Sequence, residues 1–341
     1  MTTPFDAVTR HSVYIERMKV RAVREVLDLL RPLGNQIFTT VAASDLENLT
    51  RRELQALLAE LNRMIRSGYE PVIEDIDQTL RDFGAYEGGW QADMLERTGL
   101  IQGNLGVASD ADIWAAMYAR PFQGRLLRDW YRGLPEGTAR RVREAVRQGY
   151  EDGLGAIEVA RQLRGTRSQT GILQTSARGA EAMVRTAFNH TATVARDRTY
   201  AENPTIRWEQ YVAVLDTRTT PRCRSLDGNF YDRGKGPKPP QHIACRSTRV
   251  PVTNRNRARL ERRQTYNGWL KAQSASVQDD ILGKTKGRLF RKGELTVDRF
   301  VNRAGAELTL EQLKAKDAEA WAETFGDDSV SEAVESVTDR D

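Results

Sequence analysis

Residues 207–252 read RWEQYVAVLDTRTTPRCRSLDGNFYDRGKGPKPPQHIACRSTRVPV. The stretch holds both cysteines of the chain and one of its three histidines. Ile206, Trp208, Val212 and Val214 alternate with polar or smaller residues, the period-two pattern of a strand. Asp216 to Pro221 reads as a loop whose aspartate bonds the backbone N–H groups that follow it. Asp227-Gly228 is a hairpin-turn dipeptide, and Asn229, Phe230 and Tyr231 lead out of it. Gly234 to Pro240 is a Gly, Lys and Pro loop. Ser247 to Val252 pairs back as a strand, with Pro251 restricting it to an edge. The expectation is a small β-module at 201–255 with pinned loops.

Outward from it the pattern changes to helical. Ile15, Met18, Ala22, Val26 and Leu29 form a stripe over 12–31, and Pro32 and Gly34 read as its end. Thr50 to Glu53 is a capping box opening a helix through Ile65. Pro71 then starts another, to about Phe83, and Gly84, Gly88 and Gly89 read as breaks. The Gly-rich stretch 99–110 reads as a loop. Gly103 and Gly106 lack the Lys-Ser or Lys-Thr and the preceding strand of a phosphate loop. Further helices are expected at 110–118, 120–131, 140–150, 156–163 and 177–200, with 165–176 as loop. His11 and His190 have no cluster of ligand residues beside them in sequence and read as helix-surface residues. After the basic run Asn254 to Gln264, apolar positions from Tyr266 to Val301 outline a small helical unit. Gly283-Lys284-Thr285 looks like the end of a Walker motif, but Gln278 stands where its first glycine belongs. Thr309 to Gln312 again has capping-box spacing.

The fold class expected is therefore α+β and mainly α-helical, with long N-terminal helices, the small β-module and a small C-terminal helical unit. The segments are 1–98, 110–200, 201–255, 256–326 and an acidic disordered tail at 327–341. That tail carries six acids against one base, so the rest of a chain of net charge +5 is more basic than its total implies. A basic body suits nucleic acid or an acidic protein surface, or is simply a solvated helical face. Arg255, Arg257, Arg259, Arg262 and Arg263 are the candidates for nucleic-acid contact. No run of 18 apolar residues appears, so no membrane span is expected. The N-terminus lacks the order of a secretory signal, and two cysteines make no disulfide framework, so synthesis in a cytoplasm is expected.

Cys223, His242 and Cys245 are spaced C-x18-H-x2-C. Zinc takes four ligands in a closed structural site, and three soft ones are present here. Asp216, Asp227 or water would have to supply the fourth, and three ligands plus water would be a catalytic arrangement. The alternatives are a disulfide closing a loop of about twenty residues, worth about 3 kcal/mol, or two small buried thiols. No feature marks either cysteine as an activated nucleophile. Arg218, Arg222, Arg224, Arg246 and Arg249 either contact phosphates or pair with Asp216, Asp227 and Asp232. The reading is of no cofactor, with zinc as the possible exception.

Asp216, Arg218 and Thr219, then Cys223, then Leu226-Asp227-Gly228, then Pro240, His242, Cys245 and Arg246 resemble the motif of the Mu F-like phage minor head proteins. Arg185-Thr186 and Asn189 resemble that family's lead-in helix, and the likeness runs over about residues 140–315. Thr220 stands where the family pattern has its first cysteine, and Ser247 where many members have another, so a four-cysteine site is excluded. The resemblance implies a structural virion protein, not an enzyme. It would be made in the host cytoplasm and held in the head interior or at the portal vertex, in several copies. Its implied partners are the portal or major capsid protein and packaged DNA, with roles in head morphogenesis and DNA packaging or ejection. The competing reading is a toxin-like enzyme on the same β-module, a nuclease or metal-dependent hydrolase using His242.

Overall fold

The structure, a computed structural model, describes residues 3–326 apart from 102, 167, 293–294 and 303–306. The expected acidic tail at 327–341 lies outside the described residues. The fold is α+β and mainly helical, with long N-terminal helices and one three-stranded antiparallel sheet. The chain forms two compact units, Met1–Asn203 with His242–Cys245, and Pro204–Gln241 with Arg246–Asp341. No helix among the described residues is long and apolar enough to cross a membrane.

The first unit contains α1 (Pro4–Ala42), α2 (Arg51–Arg97), α3 (Asp110–Ala119), α4 (Leu127–Glu151), α5 (Ala156–Arg164) and α6 (Ile172–Ala201). Capping boxes start the first two: Thr3 with Asp6, and Thr50 with Glu53 as the sequence indicates. The expected stops inside them do not occur. Pro32 lies within α1, and Pro71 with Gly84, Gly88 and Gly89 lies within the 47 residues of α2. A proline costs its helix a hydrogen bond, but a helix this long is held by its buried stripe more than by local propensity. Packing accounts for some of the glycines, though not for Gly89, where a Cβ would meet nothing within 4 Å. A Cβ on Gly68 would come within 2.8 Å of Leu33 Cδ1, and one on Gly88 within 2.5 Å of Ile113 Cδ1.

The two helices expected at 120–131 and 140–150 are one, α4, with Pro135 inside it. It begins after a tight turn in which Gln123 and Gly124 take positive φ values of 50° and 75°. Helix α6 opens earlier than expected and is buried on nearly every face from Met183 to Tyr200. One core runs through both stretches of helices, from Ile15 and Val26 of α1 through Leu61, Ile76 and Phe83 of α2 to Val142, Val146, Phe188 and Val194. Gly106, in the loop before α3, is clamped by Asn203. The Asn203 side chain accepts from Gly106 N at 3.1 Å and donates to Gly106 O at 2.9 Å. A Cβ there would sit 2.4 Å from the backbone oxygen of Glu202, which explains that glycine without any phosphate.

The second unit holds the sheet, in the order β2 (Phe230–Asp232), β1 (Trp208–Val212), β3 (Thr248–Val252). Trp208 pairs with Asp232 on one side and Val252 on the other. Pro251 lies on the edge strand β3, as its missing donor requires. One reading is corrected. Asp227-Gly228 does not join two strands; a short helix, α7 (Pro221–Leu226), stands between β1 and it. Thr220 caps α7 by accepting from Cys223 N at 3.4 Å, and Pro221 occupies the first helical position. Beyond β3 come α8 (Arg257–Glu261), α9 (Tyr266–Lys271), α10 (Ala275–Leu282), α11 (Lys284–Lys292), α12 (Leu310–Lys316) and α13 (Ala318–Phe325). Tyr266, Leu270, Leu289, Phe290, Phe300, Leu313 and Trp321 form their core, and the Thr309–Gln312 capping box is present.

Candidate functional site

The motif residues of the second unit are occupied in holding backbone. Asp216 accepts from Arg218 N at 3.0 Å, and Arg246 grips both its oxygens at 2.7 and 2.9 Å. Partial burial works against the Asp216 charge, but the Arg246 fork outweighs it and holds the carboxyl below its ordinary range. The Thr219 hydroxyl donates to Val214 O and to Asp216 Oδ1, closing the loop from within. Tyr266 donates its hydroxyl to Asp216 O at 2.9 Å, and burial pushes that phenol up to about 12.

Asp227 is a second hub, with a fully buried side chain. It accepts from Ala213 N, Arg263 Nη2 and Tyr266 N, each at 2.7 Å. Gly228 follows with φ +83°, and a Cβ there would meet Thr265 Cγ2 at 2.8 Å. Leu226 is buried, Cys223 is 1% exposed on α7, and the Tyr211 hydroxyl lies 3.4 Å from its Sγ. Pro240 is buried and follows a cis peptide bond from Pro239.

Sequence reasoning missed the partner of Arg249. Its guanidinium is fully buried, 2.6 Å from Glu209 Oε2, and donates to Lys235 O at 2.8 Å and Pro237 O at 2.5 Å. It therefore pins the Gly-Lys-Pro loop to β1. The signal was present: Glu209 and Arg249 sit on strands that pair antiparallel, at neighbouring registers. Of the basic run, Arg263 points inward with 7% of its side chain exposed and donates to Gln210, Tyr211, Gln264 and Asp227. Arg257 pairs with Glu261 and lies over Trp208 and Phe230. Arg255, Arg259 and Arg262 are exposed.

His242 and Cys245 belong to the first unit, Cys223 to the second. Both cysteines are buried thiols with no disulfide. His242 Nδ1 lies 2.8 Å from Ile243 O, and Cys245 N donates to His242 O at 3.2 Å. Ala244 takes φ +55°. Helix α6 clips this turn twice: Ala244 N donates to Thr186 Oγ1 at 2.9 Å, and Asn189 Nδ2 donates to Cys245 O at 2.8 Å. Thr186 and Asn189, noted in sequence as part of a lead-in helix, are thus the groups that seat the His-x2-Cys turn.

The family model for Phage Mu protein F like protein matches residues 140–250. That segment is similar to the family. It begins within α4, takes in α6 and the pinned loops, and ends within β3. No curated protein and no solved structure matches the chain.

The other two histidines correct the sequence reading. Neither is a surface residue. His190 is 2% exposed, its Nε2 lies 2.9 Å from Met117 O and its ring stacks on Phe122; burial lowers its pKa to about 4. His11 is 6% exposed and lies 2.6 Å from Glu87 Oε2. Glu87, itself fully buried, also accepts from Gln91 Nε2 at 2.8 Å and faces Arg196 at 3.8 Å. This network was invisible in sequence because its members lie on three helices, far apart along the chain.

Proposed function

We propose that the chain is a minor structural protein of a phage head. It binds the portal or the capsid interior and assists head morphogenesis, DNA packaging or DNA ejection. The Mu F-like match over residues 140–250 carries this reading. The geometry supports it from another side. Asp216, Asp227, Arg246, Arg249 and Arg263 point at backbone groups or at each other, which is the work of holding a shape rather than of turning over a substrate. The reading requires no cofactor and no membrane.

Mass spectrometry of purified proheads and mature virions tests it. The protein is expected in at least one of them, in few copies, and cross-linking is expected to join it to portal or major capsid protein. Absence from both particles would sink the reading. Nuclease activity in the purified chain, lost in His242→Ala without unfolding, would replace it with the enzymatic one.

A further inference from the structure

The first unit contains a cavity of about 380 Å³ between the N-terminal part of α1 and the C-terminal end of α2. It is lined by Ala7, Arg10 and His11 of α1 and by Trp90, Met94, Arg97 and Thr98. The size falls in the range of small-molecule sites, about 300–1,000 Å³. Its chemistry is one-sided. Two guanidinium groups line it and no carboxylate does. Arg10 makes no hydrogen bond or ion pair among the described residues, and Arg97 is engaged only through Nε, which donates to Asp93 O at 3.2 Å.

His11 gives the cavity a polar wall built from behind. The ring is 94% buried, since 6% of the residue is exposed. Its Nε2 is committed to the Glu87 carboxylate at 2.6 Å, and Glu87 is fixed in turn by Gln91, which accepts from the Tyr200 hydroxyl at 3.0 Å. Because Glu87 accepts, Nε2 carries the proton between them. Nδ1 has no partner among the described residues. Trp90 lies flat on the imidazole, with ring centroids 3.5 Å apart and planes 5° apart. The pair thus presents an oriented ring nitrogen beside an indole. The end of α2 is the negative end of its dipole, but its last carbonyls are already used: Thr98 donates to Met94 O through both N and Oγ1, and Gly99 N donates to Glu96 O. The arginines face little opposing charge.

We propose that this cavity binds a nucleotide, a phosphate monoester on a sugar that also carries a flat base. Arg10 and Arg97 hold the phosphate, as guanidinium forks do. His11 Nδ1 accepts from a protonated phosphate oxygen. Trp90 and Met94 carry the base, since an aromatic face stacks any base. A free nucleotide and the phosphorylated end of a strand share this chemistry. The assignment concerns the first unit alone and stands or falls independently of a place in the virion.

Calorimetric titration of the full chain with dAMP, inorganic phosphate and deoxyadenosine, at physiological salt, tests it. Saturable binding of dAMP is expected, tighter than inorganic phosphate, with none of deoxyadenosine. Arg10→Ala and Arg97→Ala are each expected to weaken dAMP about tenfold or more. Both side chains are exposed, so thermal unfolding is expected to match the parent. Trp90→Leu is expected to bring dAMP down to the level of inorganic phosphate. A preference for a 5′-phosphorylated over a 5′-hydroxyl oligonucleotide assigns the strand end; dAMP binding without that preference assigns the free nucleotide. No saturable dAMP binding, or equal affinity in the parent and both arginine variants, overturns the proposal.

Discussion

Each unit of this protein buries a carboxylate against an arginine, and the two do it differently. In the first, Glu87 joins His11, Gln91 and Arg196 across α1, α2 and α6, and the partners are side chains. In the second, Glu209 meets Arg249 across a strand pair, and Arg249 also donates to the carbonyls of Lys235 and Pro237. Asp216 and Asp227 likewise bond backbone N–H groups. The helical unit satisfies most of its backbone inside its helices, and in the Glu87 network polar side chains meet one another. The β-module has too little regular structure to do so, and its charges hold loops instead. The same residue types therefore report packing in one unit and chain path in the other.

The largest test of this contrast removes one charge from each network. Breaking a buried pair by deleting one partner costs about 3–5 kcal/mol. Arg249→Met is expected to cost that much and to strip amide-exchange protection from Gly234 to Pro237 and from β1. Glu87→Ala, which strands an Arg196 whose Nε and Nη1 already lack partners, is expected to cost as much with the loss spread over α1, α2 and α6. Unchanged exchange at 234–237 in Arg249→Met would break the comparison.

Next is acid. The folded value of His190 is about 4 against 6.5 for the unfolded chain, so between those values the unfolded state takes up a proton that the native state refuses. Stability is full above pH 6.5 and falls toward pH 4, by roughly 3 kcal/mol at 1.36 kcal/mol per unit. Denaturation midpoints across that window are expected to flatten in His190→Gln. An unchanged slope would place the acid response elsewhere.

Smaller still is the cap of α7. Thr220→Ala is expected to lose about 1 kcal/mol, with Thr220→Asn close to the parent, measured by chemical denaturation. Last comes an expected null. Dialysis against a chelator should leave the denaturation midpoint where it was, with no stoichiometric zinc by elemental analysis. A drop on chelation would show that a bound metal supports the fold.

What could be read from sequence follows the same divide. Strands β1 and β3, the loop role of Asp216 and the edge position of Pro251 were legible because strand alternation and turn chemistry act between near neighbours, whereas the partners of Asp227 lie 14 to 39 residues away. Helix α7 was not, because Thr220-Pro221 reads equally as a loop until the cap bond to Cys223 N is seen. The stripes of α1, α2 and α6 were legible, but not the continuity of α1 through Pro32 or of α2 through Pro71 and its glycines. Continuity depends on what packs alongside, and a single strip of sequence does not name its neighbour. His11 and His190 failed for that reason: their partners, Glu87 and Met117, lie more than seventy residues away.

Pro251 sits in the last strand of an open sheet, and all five residues of that strand are buried. An unguarded sheet edge invites another copy to add its own strand, a hazard that grows with local concentration. By withholding one donor, Pro251 makes that edge a poorer template for an added strand.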